Sequence, residues 1–257
     1  MLAYVIRRLV GAALVMLAVA TLVFFMIRLV PGDPIAAMLA DSGSPEAREA
    51  MIRRLGLDQP LIVQFWKWFT GVLQGDFGAS IYGSNQPVAD ILMNALPKTL
   101  SLALLSFTVA IVIAVPAGII SATRKNSAAD VGVSLFAFLG LSMPDFWLAI
   151  ILIIIFAANL QWLPAIGYTP LAEGFWPWLS HLILPAIAIG TGFSAIIARM
   201  IRSSMLEVLQ ADYMRTAASK GLTQNVMLLR HALPNALIPV ITVVGIAFAL
   251  LISGAVV

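Results

Sequence analysis

The strongest constraint on this chain is a series of apolar runs, each about as long as one helix across a membrane. The runs cover approximately residues 9–30, 100–122, 131–158, 182–201 and 236–257. Hydrophobic residues make up 61% of the 257 positions and charged residues 11%, whereas about 25% of the residues in soluble domains are charged. Such a chain cannot cover its apolar surface with polar groups in water. The sequence therefore predicts an all-α membrane protein with five visible spans.

The first apolar run predicts a retained membrane helix rather than a cleaved signal peptide. Arg7 and Arg8 precede the run, and Ala18-Val19-Ala20 offers the small residues of a cleavage site. The run continues to Val30, however, and so exceeds the usual apolar part of a signal peptide. We therefore expect this helix to remain in the mature protein.

Composition divides the chain into three parts. Residues 1–30 form the N-terminal end and the first helix, residues 31–98 are rich in Gly, Pro, Asp, Ser and Gln, and residues 99–257 hold the remaining spans. A segment as polar as the second part cannot span a membrane, so we expect one large extramembrane loop there. Some of its aromatic residues favour short amphipathic helices at the membrane interface, namely Phe65, Trp66, Trp68 and Phe69.

Basic residues in the short connections predict the orientation of the spans. Arg124 and Lys125 lie in one connection, and further Arg and Lys residues lie between positions 199 and 230, whereas residues 159–180 contain none. Short loops rich in Lys and Arg face the cytoplasm, so the N-terminus and both basic connections are expected inside. The loop 31–98 exceeds the length over which this rule counts and is expected outside. Five spans would leave the C-terminus outside, and we expect a missing sixth span there.

The sequence lacks the residue patterns of an enzyme, a metal site or a nucleotide site. It contains no cysteine, no H-E-x-x-H and no G-x-S-x-G, and none of its lysines follows a glycine as in a P-loop. His181 and His231 lie at the ends of different apolar runs, where we expect an interfacial and a helix-end residue rather than metal ligands. The basic residues form no nucleic-acid-binding stripe. We therefore expect no catalytic site, metal or cofactor on this chain and no nucleic-acid partner.

Asp145 is the acidic residue that the apolar runs place at membrane depth. It follows Pro144 inside the third run, and we expect kinks there and at the other prolines of the later runs, Pro116, Pro185 and Pro239. Ionisable residues inside spans commonly mark a substrate or ion path. Two interpretations stay open. The side chain lines a substrate cavity or helix interface, or it lies at a kinked, hydrated position near the membrane surface.

Residues 212–234 predict a short helix, a glycine turn and a second helix on the cytoplasmic side. Alanine-rich sequence around residues 215–220 favours a helix, and Gly221 supplies the left-handed position at which helices commonly end. Residues 222–231 again contain good helix formers. These features alone also fit an ordinary basic cytoplasmic loop. The spacing of the residues distinguishes a functional loop from an ordinary one.

That spacing resembles the cytoplasmic loop of ABC importer permeases. In this family Glu-Ala-Ala is followed by three residues, Gly, nine residues and Ile-x-Leu-Pro. Ala217 and Gly221 match the pattern, and so does Leu233-Pro234. Arg215 and Thr216 stand in place of the glutamate and the first alanine, which is the form familiar in the dipeptide, oligopeptide and nickel branch.

Further motifs of that branch occur in order along nearly the whole chain. They include Pro31-Gly32-Asp33-Pro34, Leu55-Gly56-Leu57-Asp58-Gln59-Pro60, Gly75-Asp76-Phe77-Gly78, Trp162-Leu163-Pro164, His181-Leu182-Ile183-Leu184-Pro185 and Arg202-Ser203-Ser204-Met205. Each motif is weak alone. Together they indicate that the whole chain is similar to these permeases.

The resemblance implies the transmembrane fold of type I ABC importers, with residues 99–257 as the permease core, in a bacterial inner membrane. It implies three kinds of partner besides lipid: a second homologous permease, two cytoplasmic ABC ATPase subunits and an extracytoplasmic solute-binding protein. ATP hydrolysis then belongs to the ATPase subunits, and substrate crosses by alternating access. The coupling loop, at about residues 202–234, would contact the ATPases at Tyr213, Arg215, Thr216, Ala217, Lys220, Gly221, Leu233 and Pro234.

The substrate is less well defined than the fold. Small peptides are the first expectation, since they are the commonest substrates of this branch. Nickel or a nickel chelate is the alternative, because residues 142–147 and 160–165 look like the nickel sub-branch. Composition alone also leaves open an uncoupled channel or a membrane scaffold. Co-purification with a P-loop ATPase separates the importer from both.

Overall fold

The computed structural model describes residues 1–29, 46, 49–50, 52–53, 56–80 and 86–254. These residues are helical apart from turns, loops and an isolated antiparallel bridge between Ala79 and Pro87, and they contain no strand. The predicted all-α membrane fold is confirmed. Parts of the predicted loop 31–98 and the C-terminal residues 255–257 lie outside the described residues.

The helices are numbered in chain order. They are α1 (Leu2–Leu29), α2 (Leu61–Leu73), α3 (Val88–Thr123), α4 (Ala128–Ser142), α5 (Asp145–Leu152), α6 (Phe175–Leu209), α7 (Asp212–Ser219), α8 (Gln224–Val226) and α9 (Leu233–Gly254). π-helical turns at Ile153–Asn159 and Met227–Ala232 continue α5 and α8, and a 3₁₀ turn covers Leu171–Glu173. By length and composition, α1, α3, α6 and the continuous helix Gln224–Ser253 can each cross a membrane. A fifth crossing results if α4 and Asp145–Asn159 count as one span.

The predicted third span is broken rather than kinked. α4 and the helix Asp145–Asn159 meet at an angle of 101°, with Met143 extended and Pro144 directly before α5. Proline has no N–H to donate, and its ring disfavours the helical conformation at the preceding residue. The prolines of three other apolar runs lie inside continuous helices: Pro116, Pro185 and Pro239. Among these four prolines, only Pro144 coincides with a full break.

Residues Met1–Asn94 form one compact unit, in which α1 packs against α2. The ring of Phe24 in α1 lies 5.3 Å from the rings of both Phe65 and Trp68 in α2, between centroids. Arg28 donates from Nε to Oε1 of Gln64 at 2.9 Å. The aromatic segment is therefore a helix, as predicted, but two of its rings pack on α1 instead of facing the membrane alone.

Residues Ala95–Val257 form the second compact unit, which is built around a close contact between α3 and α6. One face of α3 carries small buried residues: Ala103, Ser106, Ala110, Ala114, Gly118 and Ser121. Small residues let membrane helices approach closely. A Cβ atom at Gly118 would lie 2.7 Å from Cβ of Ile201 in α6, and one at Gly190 in α6 would lie 2.7 Å from the backbone oxygen of Ser106. Neither glycine has room for a side chain.

α3 and α6 run in the same direction. Trp178, near the start of α6, donates from Nε1 to Oγ of Ser101 at 3.2 Å, and the contact at Gly118 lies near the ends of both helices. α9 joins this core because the buried Ser204 of α6 donates to the backbone oxygen of Ala236 at 2.8 Å. The α3–α4 turn and the segment after α6 therefore lie at the same end of the unit.

Candidate functional site

The predicted coupling loop folds as the short helix α7 and a glycine turn. α7 follows α6 after the turn Gln210-Ala211. At its other end Gly221 has a φ of 77°, and the N–H of Leu222 donates back to the carbonyl of Ala217 at 3.4 Å. A residue in the left-handed conformation at this position is a common way for helices to end. The predicted glycine stop is confirmed, and the second helix begins at Gln224.

α7 has one face in the core and one charged face outside it. Met214 and Ala217 are only 2% and 9% exposed, so Ala217 positions the helix from within rather than presenting its side chain to a partner. The opposite side carries three of the predicted contact residues, all exposed: Arg215, Thr216 and Lys220. Arg215 pairs with Asp212 at 3.5 Å, and an exposed pair of this kind contributes little to stability. These groups are therefore available to a binding partner.

Tyr213 links α7 to the start of α9. Its hydroxyl oxygen accepts a hydrogen bond from Nδ2 of Asn235 at 3.2 Å, and the same amide donates to the carbonyl of His231 at 2.8 Å. Leu233 is half-buried and Pro234 is exposed in the same stretch. α7 is thus fixed to the membrane core both by its buried face and by this hydrogen bond.

A buried ion pair lies at the same end of the unit as the coupling loop. Arg202 of α6 donates from Nε and Nη2 to the two carboxylate oxygens of Asp130, each at 2.8 Å. Asp130 is 4% exposed and also accepts from the hydroxyl of Ser121 and the backbone N–H of Asn126. Buried charges need such complete pairing. The network joins the end of α3, the α3–α4 turn, α4 and α6.

The sequence does not predict the role of Asp130. Its position was the one indication in the sequence. Asp130 is an acidic residue at the start of an apolar run, directly after the basic turn that contains Arg124. The sequence identifies Arg202 only as a basic residue of the loop and as part of a family motif. The ion pair explains why a negative and a positive side chain lie at these two positions.

Asp145 lies at the break between α4 and α5 and borders a cavity of about 290 Å³. The other lining residues come from both sides of the break and from α6: Gly140, Leu141, Met143, Pro144, Gly192, Phe193 and Ile196. A Cβ atom at Gly192 would lie 3.1 Å from Oδ1 of Asp145. The carboxylate therefore rests against a part of α6 that carries no side chain, and Asp145 is exposed to the cavity.

Within the described ranges, no group of three or more His, Cys, Asp and Glu residues could hold a metal ion. His181 lies at the start of α6, where Nδ1 is 2.7 Å from the backbone oxygen of Pro177 and 3.3 Å from Oγ1 of Thr169. These contacts account for its position without a ligand. The features that a function has to explain are the exposed face of α7, the buried ion pair and the cavity at Asp145.

Two family models together cover most of the chain. The model described as "Binding-protein-dependent transport system inner membrane component" matches residues 114–257. The model described as "Binding-prot-dependent transport system membrane comp, N-term" matches residues 1–103.

Similar proteins match this chain over nearly its full length. The chain is 44% identical to "Probable peptide ABC transporter permease protein y4tP" of Sinorhizobium fredii, over 98% of this chain and 80% of that protein. It is 41% identical to "Oligopeptide transport system permease protein AppB" of Bacillus subtilis, over 100% of this chain and 82% of that protein. It is also 41% identical to "Dipeptide transport system permease protein DppB" of Alkalihalophilus pseudofirmus, over 100% of this chain and 83% of that protein.

Proposed function

The chain belongs to the family of binding-protein-dependent transport system inner membrane components, and from this premise we propose that it carries small peptides across the bacterial inner membrane. In this role it is the permease subunit of an ATP-driven importer and forms the substrate path with a second, homologous permease. The observation that carries the proposal is α7, whose buried face fixes it to the membrane core while its charged face stays open. Relatives named for peptide, oligopeptide and dipeptide transport favour peptides over nickel.

The other proposed partners are two cytoplasmic ATPase subunits and an extracytoplasmic solute-binding protein. ATP binding closes the ATPase pair, and α7 follows that closure through its exposed residues, Tyr213, Arg215, Thr216 and Lys220. Because α7 is fixed to α6 and α9, its movement favours one of two states, inward-facing or outward-facing, and a ligand shifts such an equilibrium by binding one state better. Gly221 and Leu233-Pro234 shape the return of the chain to the membrane. ATP hydrolysis takes place on the partner subunits.

Reconstitution tests this function. The chain, its partner permease and P-loop ATPases, placed in proteoliposomes with the binding protein, are expected to take up a short peptide only when ATP is supplied. The purified chain alone is expected to hydrolyse no ATP. Peptide uptake without ATP would favour an uncoupled channel, and hydrolysis that follows the isolated chain through purification would contradict the assignment of catalysis to the partners.

The proposed orientation puts the N-terminus and the coupling loop in the cytoplasm. Two observations support it: the basic bias of the short connections, and the common end shared by the Arg124 turn and α7. The chain has no cysteine of its own. Ala172→Cys, at an exposed position before α6, is expected to react with an impermeant thiol reagent in intact spheroplasts. Ser219→Cys, exposed at the end of α7, is expected to react only after permeabilisation, and the reverse pattern would overturn the orientation.

Gly221→Val is expected to lower ATP-driven uptake about tenfold while the protein reaches the membrane at a near-normal level. Gly221 has a φ of 77°, and a residue with a branched Cβ loses about 1–2 kcal/mol in this conformation. A tenfold effect corresponds to about 1.4 kcal/mol. The strain tilts α7 away from the ATPase contact, and uptake, membrane level and stimulated ATP hydrolysis measure the result.

Gly221→Asn is the matched control, because asparagine adopts the left-handed conformation more readily. No atom lies within 4 Å of a Cβ atom built at Gly221, so both side chains fit and only the backbone preference differs. Uptake near the wild-type level is expected for Gly221→Asn. Normal uptake and stimulation in Gly221→Val would remove the coupling role from this turn.

A further inference from the structure

The break between α4 and α5 places a carboxylate halfway along the bent helix pair and beside the middle of α6. Asp145 begins α5 near the centre of the bent span Ala128–Ser142 and Asp145–Asn159. Its Oδ1 lies against Gly192, which is at the middle of α6. Broken helices near the membrane midplane commonly form substrate sites in transporters, because the break leaves polar groups facing a cavity.

This carboxylate has no partner in the described part of the chain. No hydrogen bond or ion pair of Asp145 is formed there, in contrast to Asp130, which accepts from three groups. A charged side chain within a membrane helix is costly and usually has a partner. An unpaired carboxylate at this depth therefore points to a cation that arrives during the working cycle.

The cavity indicates what kind of cation it takes. Its volume of about 290 Å³ is at the small end of ligand pockets, which hold about 300–1,000 Å³, so it accepts one end of a peptide rather than a whole chain. The side chains around Asp145 are apolar: Leu141, Met143, Pro144, Phe193 and Ile196. A single carboxylate among apolar side chains suits the first residue of a peptide, which carries one positive ammonium group and a side chain that varies.

We propose that Asp145 binds the N-terminal ammonium group of the peptide as it crosses the membrane. The inference rests on the proposed peptide transport. The ammonium group is the cation that unmodified peptides share whatever their sequence, and it is mostly protonated at neutral pH because its ordinary pKa is about 8. Gly192 lets the carboxylate lie against α6, and Gly140 packs on α6 at the edge of the same cavity.

A purely structural role for Asp145 makes a different prediction. An acidic residue in the first turn of a helix stabilises the positive end of the helix dipole, and Asp145 occupies the first turn of α5. That role concerns the folded chain and is indifferent to the charge of the substrate. The two roles separate when the same transporter is given peptides that differ only at the N-terminus.

The test uses the complete transporter in proteoliposomes with a tripeptide and its N-acetylated form. Asp145→Asn is expected to lower uptake of the free peptide about tenfold relative to the wild type and to leave the relative uptake of the acetylated peptide nearly unchanged. Expressing each peptide as a ratio to wild type cancels any preference of the binding protein. Asp145→Glu keeps the charge and is expected to keep the preference for the free terminus. Glu173→Gln, an exposed carboxylate outside the cavity, is the control and is expected to change neither ratio.

Each other outcome overturns the inference. An equal loss for both peptides in Asp145→Asn would assign the residue to helix stability, and no loss for either would leave it without a role in transport. Absence of ATP-driven uptake in the wild type would overturn the proposed function and this inference with it. If Asp145→Asn does not reach the membrane, Asp145→Ser, which also removes the charge, provides the same comparison.

Discussion

Replacing Arg202 with alanine is expected to lower the free energy of unfolding clearly, because it leaves the carboxylate of Asp130 without its charged partner. The side chain of Asp130 is 6% exposed and that of Arg202 is 29% exposed. Loss of Arg202 therefore leaves a carboxylate that water hardly reaches, whereas loss of Asp130 leaves a guanidinium that is partly hydrated. Arg202→Ala is expected to destabilise the chain more than Asp130→Ala, and thermal unfolding in detergent measures both.

The double variant Asp130→Ala with Arg202→Ala separates the charge effect from lost packing. It leaves no buried charge, so it is expected to be more stable than Arg202→Ala alone. Arg199→Ala is the matched control, because Arg199 is an exposed arginine on the same helix and its loss is expected to change stability by no more than about 0.5 kcal/mol. If Arg202→Ala were as mild as Arg199→Ala, the ion pair would have no structural importance.

The position of this pair gives it a second expected effect. Arg202 lies shortly before the end of α6, and α7 continues from that end. Asp130 holds the same point to α3 and α4 through Ser121 and Asn126. Variants that break the pair are therefore expected to lose uptake beyond any loss of protein from the membrane, since α7 no longer starts from a fixed point.

Gly118→Ala is expected to destabilise the membrane core by about 1–3 kcal/mol or more, the usual range for overpacking. The added Cβ atom would lie 2.7 Å from Cβ of Ile201 and 2.9 Å from the backbone oxygen of Ala198. A backbone oxygen cannot rotate away as a side chain does, so α3 and α6 have to separate. Gly190→Ala meets the backbone oxygen of Ser106 at 2.7 Å and is expected to behave in the same way. The level of protein in the membrane and its melting temperature in detergent measure the effect.

Two other helical glycines are the controls for this prediction. No atom lies within 4 Å of a Cβ atom built at Gly132 in α4 or at Gly245 in α9. Alanine is the better helix former by about 1 kcal/mol, so Gly132→Ala and Gly245→Ala are expected to be neutral or stabilising. A Gly118→Ala chain as stable as these controls would mean that α3 and α6 do not approach as closely as the structure has them.

The spans and the glycine turn could be predicted because both depend on local sequence. The apolar runs have the length that a bilayer requires, and the described helices follow them, although α3 begins at Val88 instead of near residue 100. Gly221 ends α7 because its own backbone adopts the left-handed conformation. The helical period also places Met214 and Ala217 on one face of α7. The family motif alone does not separate these buried residues from the exposed ones.

The break and the ion pair could not be predicted from the sequence around each residue. Pro144 breaks its span while Pro116 lies within a continuous helix, and a proline in the sequence does not reveal which outcome its neighbours allow. Asp130 and Arg202 are 72 positions apart in the chain. A single sequence shows both residues but contains nothing that pairs them.

The two glycine contacts between α3 and α6 also limit how this unit can move. Ser106 and Gly118 are separated by about 18 Å along α3, at 1.5 Å per residue, so the two backbones touch at two different depths. If one helix slid along the other, the carbonyl oxygen at each contact would collide with the facing chain. We therefore expect α3 and α6 to move together as one pair, and the proposed opening and closing of a path through the membrane to occur in the helices around that pair.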